Sequence, residues 1–241
     1  RGIERIRART APLTRRPPPV QPAIDAIEGI RAVLFDVYGT LVISGCGDIG
    51  LTRAERGGEH LETDADPLRQ ALAAAGIDTE PLRPSLDGRA ALVATIEAHH
   101  AERRAQGVAF PEVDILAVWR DLLAEQGIGA DEARIRRAAL EYELAVNPVW
   151  PMPGMEALIR GLAARGLVCG IVSNAQFYTP LMLHAFFGCS LEEAGFDPRC
   201  CAWSYRLLEG KPSTRVYREA LSALERHHRI GAGETLYVGN D

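Results

Sequence analysis

Four places in the chain set a chemically competent side chain at the abrupt edge of an apolar run. Asp36 follows Ala32-Val33-Leu34-Phe35, with Gly39 and Thr40 just beyond it. Ser173 closes the run Leu167–Val172, and Lys211 stands before Pro212 and Ser213 where a helical pattern begins. Gly239-Asn240-Asp241 follows the run Thr235–Val238. A carboxylate is a nucleophile or a metal ligand. A hydroxyl and an ammonium hold anionic oxygens, and acidic groups after a glycine suit a hard cation. Taken singly, each has a plainer reading: an aspartate that starts a turn, a serine that caps a helix, one exposed lysine among many, a Gly-Asn-Asp turn.

The elements around them favour a common site. Ala32–Phe35 is apolar throughout, as in a strand buried on both faces of a parallel sheet. Such a sheet binds ligands outside the carboxyl ends of its strands, where these residues fall. From Met155 onward helix and strand patterns alternate. Met155, Leu158, Ile159 and Leu162 form a stripe ended by Gly166, and helical residues run from Ser173 to Phe187. A short strand is expected over Cys200–Ser204, then a helix with Val216, Tyr217, Ala220, Leu221 and Leu224 inward. This alternation predicts βαβ units and a parallel sheet.

Between Leu51 and Asn147 the pattern is helical. Leu68, Leu72 and Ala75 share one face, as do Leu92, Ile96 and His99. Ile115, Val118, Trp119 and Leu122 repeat at i, i+3, i+4, i+7, and Asp131 opens a helix with Ile135, Ala138, Ala139 and Tyr142 inward. An all-helical bundle is expected over 50–147, inserted into an α/β core made of 23–49 and 148–241. Gly45, Cys46, Gly47 and Asp48 read as the turn of a hairpin, and Val146–Gly154 as a Pro-rich return hinge. Residues 1–22 are Arg-rich, then Pro-rich, and read as an extended surface tail; 23–30 read as a short helix.

Asp36-Val-Tyr-Gly39-Thr40 with its strand resembles the first motif of the haloacid dehalogenase superfamily, hhhhDxxGT. Val168–Ser173, Lys211-Pro212 and Leu236–Asp241 resemble the second, third and fourth motifs, in that order. The resemblance covers about residues 30–241. It implies a Rossmann-like core with a helical cap between the first two motifs, which the long interval from Asp36 to Ser173 accommodates. It also implies Asp36 as nucleophile, Ser173 and Lys211 as its catalytic partners, and Thr40 and Asn174 as substrate-binding. Mg²⁺ would be held by Asp36, the Tyr38 carbonyl and Asp241; Asn240 fits less well, because many members carry aspartate there.

Tyr38 leaves the reaction open. Phosphatases of the superfamily usually have a second aspartate there, acting as general acid and then base. A phenol with an ordinary pKa near 10 replaces it poorly. The haloacid dehalogenases carry tyrosine at this position, and halide leaves without a proton. The fourth motif instead resembles the metal-dependent branch. Three classes follow: a Mg²⁺-dependent hydrolase of a small phosphorylated metabolite, a metal-free dehalogenase-type hydrolase, and a binding or regulatory protein with reduced catalysis.

A net charge of −5 argues against nucleic acid as the partner, and a small anionic molecule is expected instead. No run approaches the roughly 18 apolar residues of a membrane span, and no signal peptide is visible. Five cysteines without a CxxC predict reduced thiols and a cytoplasmic protein. His99 reads as a satisfied core histidine, His227 and His228 as helix C-terminal cations, and Trp119, Trp150 and Trp203 as packing. A chain running from Arg1 to Asp241, just after a strand, is expected to be trimmed at both ends.

Overall fold

The computed structural model describes residues 2–14, 25–45 and 66–240. Four parallel strands form the central sheet: β1 (Ala32–Phe35), β4 (Val168–Ser173), β5 (Phe196–Trp203) and β6 (Thr235–Val238). Their order is β5-β4-β1-β6, so β1 lies between β4 and β6. Period-two alternation separates the two faces. Val33 and Phe35 pack with Cys169, Ile171, Met155 and Ile159 on one side. Ala32 and Leu34 pack with Val172, Val216, Ala220 and Leu224 on the other. The first face is covered by α6 (Met155–Ala164), α7 (Thr179–Phe187) and the one-turn α8 (Leu191–Ala194), the second by α10 (Thr214–His228). The result is an α/β/α core whose strands all end at one edge.

Among the described residues, four helices lie between β2 and β3 of the chain, Val42–Ser44 and Val149–Pro151: α2 (Pro67–Ala75), α3 (Gly88–Ala105), α4 (Ile115–Glu125) and α5 (Glu132–Val146). Each starts on an aspartate whose carboxylate accepts a first-turn N–H: Asp66, Asp87, Asp114 and Asp131. Such caps fix helix starts and suit the positive end of the dipole. The apolar stripes read from the sequence are buried, apart from His99, whose Nε2 meets Asp121 Oδ2 at 2.8 Å and ties α3 to α4. Trp119 and Tyr142 meet edge to face at 5.7 Å.

Several local expectations are corrected. Gly2–Arg9 is a helix, α1, not an extended tail. Ile6 is fully buried, Arg5 pairs with Glu141 of α5, and Arg7 Nε donates to Ala185 O of α7 at 3.0 Å. One continuous apolar cluster therefore joins α1, α2–α5 and Tyr178, Met182 and Ala185 at α7. Residues 25–30 are not helical. The expected return hinge contains β3 (Val149–Pro151), paired antiparallel with β2 (Val42–Ser44), so the two chain crossings form one ribbon. Leu158 is 49% exposed and does not belong to the buried stripe of α6. The predicted hairpin turn at 45–48 and residues 15–22 lie wholly or largely outside the described residues. Among the described residues no helix is long and apolar enough to cross a membrane.

Candidate active site

Asp36 leaves β1 at the carboxyl edge of the sheet, its N–H donating to Val238 O at 2.9 Å. It is only 4% exposed. Burial pushes its carboxyl above the ordinary carboxylate range; the Lys211 charge, the Ser173 hydroxyl and the Val37 N–H pull the other way. Lys211 Nζ lies 3.1 Å from Asp36 Oδ1, with its side chain 8% exposed. Its second neighbour is the Tyr237 hydroxyl at 3.2 Å. A buried ion pair of this kind is not a stability device, because desolvating both charges offsets their attraction. It holds a carboxylate ready beside a fixed positive charge.

Ser173 ends β4 and is fully buried. It is not the cap of α7, which begins at Thr179. The hydroxyl bonded to Asp36 thus has no helix N-terminus adjoining it. Asn174 sits one residue on, and its amide grips the lysine loop: Oδ1 accepts from Lys211 N at 2.7 Å, and Nδ2 donates to Lys211 O at 3.4 Å. The expected substrate group is in position to fix the lysine. Thr40 Oγ1 is a buried atom with no hydrogen-bond partner.

Tyr38 presents its two ends to different places. Its hydroxyl shares a hydrogen bond of 2.9 Å with Thr179 Oγ1 at the start of α7. Burial first, then the Glu143 charge, pushes the phenol far above its usual range, so it holds its proton firmly. Its carbonyl oxygen faces the side chain of Asn240. An amide's oxygen and nitrogen are assigned from their partners. With nitrogen inward, Asn240 donates to Tyr38 O at 3.0 Å and to Asp36 Oδ2 at 3.2 Å. Turned with its oxygen inward, the amide would set a third oxygen beside Asp36 Oδ2 and the Tyr38 carbonyl, a donor set that suits Mg²⁺. In that orientation Asp36, the Tyr38 carbonyl and Asn240 are the groups that would hold the ion. Asn240 is the residue that sequence reasoning ranked below Asp241, whereas the expected ligand Asp241 lies outside the described residues. Gly39 makes the arrangement possible: its φ is +80°, and a Cβ would lie 2.3 Å from Asn240 Nδ2.

The helical insert reaches this edge through the loop after α3. Gly210 N donates to Phe110 O at 3.0 Å and Glu112 N to Leu208 O at 3.2 Å, directly before Lys211. The Glu112 carboxylate accepts from Ser204 Oγ at 2.8 Å and Gln176 Nε2 at 3.2 Å. Gln176 also donates to Val113 O and accepts from Ile115 N. This buried network, unmarked by any sequence motif, clasps insert and core beside the lysine.

Elsewhere, Asp197, Cys200 and His228 approach one another. Asp197 Oδ2 already receives Arg199 and His228, each at 2.7 Å, and burial holds the Cys200 thiol up at about 11. The group is a hydrogen-bonded brace between β5 and α10. The four described cysteines are free.

A strand-end carboxylate, a strand-end hydroxyl and a lysine on one edge of a parallel sheet define a class of α/β hydrolase. The haloacid dehalogenase-like hydrolase family profile matches residues 30–241, and the chain belongs to that family. It is similar in fold to the protein CbbY from Rhodobacter sphaeroides in complex with phosphate, at 20% identity over 86% of this chain and 76% of that one, TM-score 0.44. It is also similar to a HAD phosphatase from Thermococcus onnurineus, at 17% identity over 88% and 78%, TM-score 0.47. An L-2-haloacid dehalogenase from Xanthobacter autotrophicus with covalently bound chloropropionic acid matches at 20% identity over 86% and 69%, TM-score 0.41. A search of curated proteins found no match.

Proposed function

We propose that this hydrolase cleaves a small phosphorylated metabolite with Mg²⁺ bound, using Asp36 as nucleophile. The supporting observation is the convergence of Asp36 Oδ2, the Tyr38 carbonyl and the Asn240 amide next to the buried Asp36–Lys211 pair. Asp36 and Lys211 cancel formally, so a phosphate dianion would enter a site without surplus positive charge. Two unit charges of one sign 4 Å apart repel by about 4 kcal/mol at an effective dielectric of 20. Bound Mg²⁺ supplies the missing positive charge and screens carboxylate from phosphate.

The chain's own groups do the rest. Asp36 attacks phosphorus and forms an acyl phosphate as the bond to the leaving oxygen breaks; water then releases phosphate and restores the carboxylate. Lys211 and Ser173 hold non-bridging oxygens, and Asn174 keeps Lys211 in place. Tyr38 does not protonate the leaving group, since its hydroxyl is held by Thr179. The leaving oxygen takes its proton from solvent or from the substrate itself. Helices α2–α5 act as a cap that excludes water.

One observation favours a second reading. With nitrogen inward, Asn240 satisfies the Tyr38 carbonyl and Asp36 without any cation, as a metal-free dehalogenase would require. Phosphate and halide release from a small substrate panel, with Mg²⁺ and with EDTA, decides between them. Phosphate release that disappears in EDTA and in Asp36→Asn is expected. Halide release indifferent to EDTA overturns the proposal in favour of the dehalogenase, and no release of either supports a binding protein.

A further inference from the structure

A cavity of about 250 Å³ lies between α3, the loop that follows it and the loop carrying Lys211. It is lined by Lys211 and Asn174 from the core, by Phe110 and Val113 from the loop after α3, and by His100 and Arg104 of α3. A cavity of this volume suits a short carbon chain.

Two polar groups here are not committed to the fold. His100 Nε2 is a buried atom with no hydrogen-bond partner. Arg104 pairs with Glu97 only at 3.6 Å, with both side chains about half exposed. The other polar wall residue, Glu112, is held by Ser204 and Gln176. We propose that this cavity receives the organic part of the substrate, and that Arg104 and His100 select a carboxylate on it, so that the substrate class is a small phosphorylated carboxylic acid. The inference rests on the phosphate reading of the Asp36 site. A guanidinium matches a carboxylate's two oxygens in one plane, and one imidazole nitrogen can complete the pair. Burial keeps His100 below its usual pKa, so it acts as a neutral hydrogen-bonding group. A second phosphate would bring twice the charge to a single guanidinium.

Calorimetric titration of the full chain in Mg²⁺ with non-hydrolysable probes tests this without turnover. The probes are inorganic phosphate, propylphosphonate, 3-phosphonopropionate and propane-1,3-bisphosphonate. The carboxylic acid should bind at least tenfold more tightly than propylphosphonate. Arg104→Gln and His100→Ala, each checked for native circular dichroism, should each cut that ratio severalfold. Equal binding of 3-phosphonopropionate and propylphosphonate, a ratio unchanged in both variants, or tighter binding of the bisphosphonate overturns the inference alone. Failure of inorganic phosphate and every phosphonate to bind removes the reaction reading and this inference with it.

Discussion

Replacing Asn240 with aspartate tests the centre of the site most directly. The inward atom of its amide lies 3.2 Å from Asp36 Oδ2 and 3.0 Å from Tyr38 O. A carboxylate oxygen there would face a carboxylate and a carbonyl. At 3.2 Å and an effective dielectric of 20, the charge repulsion alone is about 5 kcal/mol. Lys211, 3.1 Å from the other Asp36 oxygen, offsets part of this, and the oxygens will separate somewhat. If about 2 kcal/mol survives relaxation, Tm falls by roughly 4–8 °C for a domain of this size. In EDTA, Asn240→Asp should therefore melt well below the native chain. Mg²⁺ should reverse the difference, because an added anionic ligand tightens binding. A tenfold gain in affinity is worth about 1.4 kcal/mol under saturating metal. Thermal melts in EDTA and across a Mg²⁺ titration measure both effects. Equal melting in EDTA, or a Mg²⁺ response no larger than that of the native chain, would refute the argument that these atoms form a cation site.

Two further outcomes concern the support around the site. Burial raises the Glu143 carboxyl above its ordinary value of 4.5, although Asn147 and Tyr178 both donate to it. A raised folded value means that stability is lost as pH climbs from the unfolded value to the folded one. Glu143→Gln should flatten that decline and be the more stable form at pH 8 in urea titrations; a variant that is less stable there and keeps the native slope contradicts the sign. Ile6→Ala should cost up to roughly 2–5 kcal/mol, the usual range for a buried isoleucine. Because α1 packs on α5 and α7 and not on the sheet's centre, the loss should appear as faster hydrogen exchange in those three helices, with β1 and β4 unaffected. Uniform acceleration across the sheet would mean that α1 is part of the global fold rather than a detachable brace.

What the sequence carried and what it hid differ in physical kind. The buried strand before Asp36 and the runs before Ser173 and Asn240 are continuous apolar segments with abrupt polar ends, and a parallel sheet aligns such ends by construction. The helices of the insert are legible because their stripes repeat at helical spacing and an aspartate stands at each start. By contrast, α1 has eight residues, three of them arginine. Its one fully buried side chain, Ile6, finds its partners only after α5 and α7 are in place. The ribbon of β2 and β3 has three residues on each strand, too short for alternation to register, and β3 ends in proline. Asn240 was ranked below Asp241 because many members of the superfamily carry aspartate at its position, although an amide oxygen can also bind Mg²⁺. Its position depends on the left-handed turn at Gly39, two hundred residues earlier in the chain, which clears the space for its amide. Asn174, which the resemblance implied as substrate-binding, has a structural partner the sequence did not show: the peptide of Lys211, in the loop beyond β5. The Glu112–Gln176–Ser204 clasp unites two loops with the first residue of the short helix Ser204–Leu207, and none of the three has a motif. Chemistry set at strand ends is thus readable from local pattern. Chemistry that depends on which loop meets which is fixed only by the assembled sheet and insert.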